Sequence, residues 1–331
     1  MAFKRLDPED ISISAESIVT PLWSTNALEL TSFYTSSTQV ASSAGDFYYK
    51  IYSQNALNAP SQFAIAFGNK NGGGATRYTV SITGSASSTI YGQYRSLIYG
   101  DEEQSFTFQN ETSENIYAIS VDRARYKEKL LPGTFNLILS GSGARKLHLT
   151  DNSVNLSTLS YLDAGRVYDI ISGSNGIPYS GTGLNANQGS YGKFLPDVGI
   201  ILLSGTALDS SVDGLDLGTV VTQDTDGGNI GKLYAAITAG GSFKLQSEET
   251  ISSNYVFVRV RNSEFNYSTN PSNITGSGEL RHDIMINTPQ AYVTTVGLYN
   301  DNNDLLGVAK MSRPLLKDFT KEALVRIKLD Y

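Results

Sequence analysis

Tyr292-Val293-Thr294-Thr295-Val296-Gly297-Leu298-Tyr299, then Asn300-Asp301-Asn302-Asn303-Asp304, then Leu305-Leu306-Gly307-Val308-Ala309-Lys310 are three consecutive stretches that decide the fold class. The first is filled with β-branched and aromatic residues, which suit a pleated, half-buried surface. The second is a run of Asn and Asp, residues that bond to their own backbone and favour turns. The third returns as an apolar run. Together they predict a β-hairpin.

Strand-like patterning extends outward from there. Upstream, Val256, Val258 and Val260 alternate with Tyr255, Phe257, Arg259 and Arg261; downstream, Val325, Ile327 and Leu329 alternate with Arg326 and Lys328 as far as Tyr331. Further strands are predicted at 47–52, 63–68, 116–121, 135–139, 147–151, 166–171 and 198–203. Residues 90–99 fit a helix or a strand equally, and 123–131 are expected to form a brief helix. Pro132-Gly133 and Asn71-Gly72-Gly73-Gly74 mark turns, and the glycine-rich 172–192 and the acidic 204–231 read as loops.

Helices of a dozen residues, which crossovers between parallel strands require, are not evident between these segments. The expected architecture is therefore mainly β: β-sandwich or barrel-like modules with few short helices and long Gly/Ser/Asn-rich loops. Four parts are predicted: an extended N-terminal arm (1–40), a β-rich domain (41–140), a β domain with long loops (141–249) and a C-terminal β docking domain (250–331).

Composition bounds the chemistry. The 331 residues carry 25 basic and 32 acidic side chains, a formal charge of −7, and only 17% are charged. The one basic cluster, Arg123 to Lys129, is interrupted by acids, so phosphate-driven nucleic-acid binding is not expected. With no cysteine, disulfides and thiolate sites are excluded. The first ten residues are charged where a signal peptide would be apolar, and no apolar run is long enough to span a bilayer. Synthesis in the cytoplasm and no membrane partner are the expectation.

Candidate catalytic groups are few. The only histidines are His148, on the polar side of an alternating strand, and His282, beside Asp283. No Gly-x-Ser-x-Gly elbow accompanies them. Asp101-Glu102-Glu103 and the spaced Asp209, Asp213 and Asp216 lack the apolar setting that raises a catalytic carboxyl. Asp224 to Asn229 has oxygen ligands suited to calcium, but its glycine comes too early for the full loop. The expectation is a non-enzyme with no cofactor and no metal. A cell-surface glycan-degrading enzyme is the alternative from another class.

The hairpin at 292–310 resembles a recurrent motif of phage tail-fibre and baseplate proteins, "I-T-x-V-G-L-Y/F, turn, L-x-A-V-A", with Gly307 where alanine is frequent. Arg261 to Pro271, Leu195 to Ile201 and Ala124 to Glu128 are similar to stretches in virion structural proteins of large contractile-tailed phages, notably those of marine cyanobacteria. The likeness is scattered over about half the chain. It implies a virion location, a role in the tail baseplate or, alternatively, as a neck or tail-terminus connector, and other virion proteins as partners. A β-module offers such partners its strand edges and its tyrosine face, and symmetric particles reuse one interface around a ring of copies. The candidate anchors are Phe265, Tyr267, Tyr292 and Tyr299, with Arg261 and Arg313 as charge partners.

Overall fold

The structure is a computed structural model and describes residues 4–35, 48–74, 86–141, 145–180, 183–185, 189–221 and 228–331. It is mainly β: of the described residues 45% are strand and 15% helix. The chain divides into two compact units, a large one of residues 18–249 and a small one of residues 1–17 with 250–331.

The elements run β1 (Ile11–Pro21), β2 (Glu29–Leu30), β3 (Tyr48–Tyr52), β4 (Ser61–Asn69), α1 (Ala86–Tyr99), β5 (Phe106–Phe108), β6 (Glu111–Ser113), β7 (Asn115–Val121), β8 (Lys129–Leu130), β9 (Asn136–Ser140) and β10 (Lys146–Asp151). They continue β11 (Ser160–Leu162), β12 (Gly165–Ser174), β13 (Ile177–Pro178), β14 (Gly192–Leu195), β15 (Ile200–Ser204), α2 (Gly205–Asp209), α3 (Gly228–Gly240), β16 (Ser242–Lys244) and β17 (Gln246–Val260). The last are α4 (Ile284–Asn287), β18 (Gln290–Tyr299), β19 (Leu305–Asp318) and β20 (Ala323–Asp330).

The large unit is organised by one curled antiparallel sheet in the order β2-β16-β9-β10-β12-β14-β15-β7-β4-β3. Its two ends are nearly joined. Four residues after Leu30 of β2, Tyr34 exchanges backbone hydrogen bonds of 3.0 and 2.8 Å with Tyr52 of β3. That length of chain reaches at most about 14 Å, so the sheet curls toward a barrel.

Period-two alternation explains its two cores. On β7, Tyr117, Ile119 and Val121 face inward with Phe63, Ile65, Ile201 and Leu203, while Ile116 and Ala118 face outward with Ile200 and Leu202. The inner core is plugged by Ile230, Leu233 and Ile237 of α3. The outer core is covered by Tyr91 and Ile98 of α1 and by Phe106 and Phe108 of the β5–β6 hairpin. Gly68 lets α1 approach, since a Cβ there would lie 2.9 Å from the Tyr91 backbone nitrogen.

Several expectations are corrected here. Residues 22–35 are not part of an extended arm: Leu22, Trp23, Leu30 and Phe33 lie in the inner core, with the Trp23 ring 4.9 Å from that of Phe243. No boundary falls at 140/141, because β9 and β10 are paired neighbours, Leu139 opposite Leu147. Residues 172–192 are not one exposed loop. β12 extends to Ser174, Gly173 pairs with Pro178, and Tyr191 is buried, donating to the Asp213 carbonyl at 2.5 Å and accepting from Leu184 N–H at 3.0 Å. The 204–231 segment holds α2 and the start of α3. Residues 90–99 are helical, and the helix expected over 123–131 is a single 3-10 turn at Arg123–Arg125, N-capped by Asp122. The calcium-like stretch lies outside the described residues as far as Gly227; its last residue, Asn229, is buried and bonds the backbone of Val220 and Gly74.

In the small unit, β1, the second half of β17, and β20 form a sheet in that order, with β17 and β20 antiparallel from Ser253↔Asp330 to Val260↔Ala323. β18 and β19 form a separate two-stranded ribbon. Its register slips where Val293 pairs with Leu315 but Thr295 with Lys310, so Met311 to Pro314 bulge outward. Pro314 has no N–H to give a ladder and sits where none is needed.

Candidate interaction surface

The small unit has very little core of its own. Among its described residues the buried hydrophobic side chains are Val256, Val260 and Ile327. They share one face of the β17–β20 pair, where Val256 lies directly opposite Ile327 and Val260 opposite Ala323. The other face carries Tyr255, Phe257, Arg259, Leu324, Arg326 and Lys328, with the Arg326 guanidinium 5.5 Å from the Tyr255 ring.

Elsewhere apolar side chains stand in the open. β1 is exposed at every residue, Ile13 by 71%. On the ribbon no apolar residue is buried on either face, and Leu306 is 70% exposed. Ile284, Ile286, Leu305, Val308, Phe319, Leu324 and Tyr331 are exposed too. An isolated two-stranded ribbon is marginal in water, and exposed apolar side chains in this number make these strands the candidate interaction surface.

Polar contacts nevertheless fix the shape of this surface. The Lys317 ammonium is fully buried and donates to the Asn262 carbonyl (2.9 Å), the Asn266 Oδ1 (2.7 Å) and the Asp318 carbonyl (2.8 Å), so all its N–H groups have acceptors. This pins the loop after β17 to the end of β19. In that loop the Glu264 carboxylate accepts the Arg261 N–H at 2.8 Å, which chiefly holds it below the usual carboxylate range, and it pairs with Lys4 at 3.4 Å. Phe265 takes a left-handed φ of 51°. At the other end of the ribbon, Asn300 Oδ1 accepts from Asn302 N–H (3.0 Å) and Asp304 N–H (2.8 Å), closing the polar turn.

The candidate anchors fall at two places. Tyr292 pairs with Leu316, next to Lys317, so it lies at the end of the ribbon to which the loop of Arg261, Phe265 and Tyr267 is tied. Tyr292 and Tyr267 are 64% and 63% exposed, Arg261 is exposed and Phe265 half-buried. Tyr299 sits seven residues along β18, beside the polar turn and about 23 Å away at strand rise. Arg313 is exposed in the bulge between them. Sequence reasoning missed Ile11, Ile13, Leu306 and Leu324. The Ile-Ser-Ile-Ser alternation at 11–14 was the available signal.

Two of the acids considered for catalysis, Asp101 and Asp209, are held by local hydrogen bonds. Asp101 Oδ1 accepts from Glu103 N–H at 2.6 Å in an exposed turn, and Asp209 accepts the N–H and hydroxyl of Thr219, both at 2.9 Å. His148 lies edge-on to Tyr179, and His282 is exposed ahead of α4. Among the described residues no group of three or more His, Asp or Glu side chains is placed to hold a metal ion, and no helix is long and apolar enough to cross a membrane. No protein-family model, curated protein or solved structure matches the chain.

Proposed function

We propose that the chain is a structural subunit of a phage tail, a baseplate component in the first instance, that works by docking its small unit against other protein chains. The observation that carries this reading is the contrast between the units. The large unit encloses its own aromatic and aliphatic core, whereas the small unit exposes apolar side chains on β1, on both ribbon strands and on β20. Three buried hydrophobic side chains cannot offset the conformational entropy of ordering about a hundred residues. The rest of the burial comes from partners.

The likeness of 292–310 to tail-protein hairpins supports the virion setting, and a neck or tail-terminus position uses the same surface. The test is incorporation. Particles are assembled with the wild-type chain and with Tyr292→Asp/Leu306→Asp. The account expects the variant chain to fold and to be left out of the particle. Normal incorporation contradicts it. A glycan-hydrolysis screen tests the enzymatic alternative: turnover abolished by replacing one acid overturns the structural reading.

A further inference from the structure

We infer that the small unit's sheet is completed by a second copy of this chain, the open edge of β1 in one copy pairing with the open edge of β20 in the next. This rests on the assembly reading above and names its partner.

The strand order places β1 and β20 at opposite ends, each with β17 as its only neighbour in the sheet among the described residues. β1 is eleven residues long and β20 eight. Both are long enough to template another strand, since a strand edge presents a row of unpaired N–H and C=O groups. Neither carries an edge-blocking proline within its ladder, Pro21 standing at the last position of β1.

Charge favours a copy of the same chain. The small unit holds eleven basic and twelve acidic side chains, against fourteen and twenty in the rest of the chain, so a like copy meets little repulsion there. The two edges also differ in sign. The one charge on β1 is Glu16, after Glu9 and Asp10, whereas β20 carries Arg326 and Lys328 beside Asp330, with which the Lys328 ammonium pairs at 3.1 Å, leaving β20 one positive charge in excess. One such pairing exists within the chain, where the Lys328 ammonium lies 4.0 Å from Glu16 Oε2 across β17. A head-to-tail contact of unlike edges uses both edges of each copy, and if the rotation closes, no edge remains open. A single foreign protein would have to cover two chemically different edges at once.

The chain has no cysteine, so introduced thiols report without background. One set of full-length chains carries Ser12→Cys, Ser14→Cys or Ala15→Cys in β1, and the other carries Leu324→Cys, Arg326→Cys or Lys328→Cys in β20. Within one chain β1 and β20 are separated by β17, about 10 Å, beyond disulfide reach. Under mild oxidation the expected result is a covalent dimer in a β1/β20 mixture for at least one pairing, and loss of that dimer when either variant is oxidised alone. Dimers from β1 variants alone overturn the unlike-edge pairing but leave assembly standing. So does a monomer whose β1 and β20 amides exchange freely, which assigns the edges to a different protein. A monomer with protected β1, β18 and β19 amides overturns both this inference and the assembly reading.

Discussion

The Lys317 ammonium lies 2.7 Å from Asn266 Oδ1 with none of its side chain reaching solvent. A lysine is buried here because three neutral oxygens surround its three N–H groups, and that arrangement locks the loop of Phe265 and Tyr267 onto the ribbon. Lys317→Met keeps the aliphatic stem and strands those acceptors. The expected cost is about 1–3 kcal/mol, confined to the small unit. Faster amide exchange at 262–266, with the large unit unchanged, is the result to look for.

Leu306 and Leu324 are 70% and 67% exposed in the single chain. Changing both to Asp should shift the chain's own stability by no more than about 0.5 kcal/mol each. If partners cover them, the same changes bury charge, and self-association measured by sedimentation should weaken at least tenfold, about 1.4 kcal/mol. Equal association by variant and wild type would count against a role for these side chains.

The strands were legible because alternation survives in the local sequence. Val256, Val258 and Val260 against Tyr255, Phe257 and Arg259 divide between two faces of β17 as their spacing requires. The hairpin turn was legible because Asn300 bonds to its own neighbourhood. What local pattern could not supply was the long-range closure. Trp23 and Phe33 looked like part of a loose arm, yet they fill a core whose other members, Phe63, Phe135 and Phe243, are tens to hundreds of residues away. Tyr191 belongs to a glycine-rich stretch, but its hydroxyl ties Leu184 to Asp213, a constraint no window shows. Of the candidate interaction surface, Tyr292 and Tyr299 were visible as aromatic residues on a strand. The exposure of Ile11, Ile13 and Leu324 depends on which face lacks a covering layer, and that is a tertiary fact.

In the large unit, Arg166 grips Asp197 through Nη2 (2.5 Å), Nε (3.1 Å) and its backbone N–H (2.9 Å). Burial acts to raise the Asp197 carboxyl, but the Arg166 hydrogen bonds and charge outweigh it and hold the group below its ordinary value. A carboxyl depressed in the folded state contributes stability above its unfolded pKa, near 4, and loses it as pH falls through the lower folded value. Asp197→Asn should therefore cost about 1–2 kcal/mol at neutral pH, allowing for solvent screening. The deficit should begin to shrink as pH falls below about 4 and go on shrinking through the lower folded value. Urea midpoints at pH 7 and pH 3 give the comparison.

Phe243 packs against Trp23 at 4.9 Å, Phe63 at 5.3 Å and Phe135 at 6.0 Å. Phe243→Ala should destabilise the large unit by about 3–5 kcal/mol. Trp23 is the only tryptophan in the chain, so its fluorescence follows the large unit alone. Its urea transition should move to lower denaturant without a change of slope.

The central claim is that the apolar strands of the small unit are covered by other chains, and amide exchange at residues 11–17, 290–318 and 323–330 measures it most directly, read on the full-length chain across dilution and within assembled particles. The account predicts fast exchange in the dilute single chain and slow exchange once chains associate, while residues of the inner core such as Ile119 and Leu203 stay protected throughout. Strong protection of the ribbon and of β1 in a monomer, unchanged by concentration or by assembly, would contradict it.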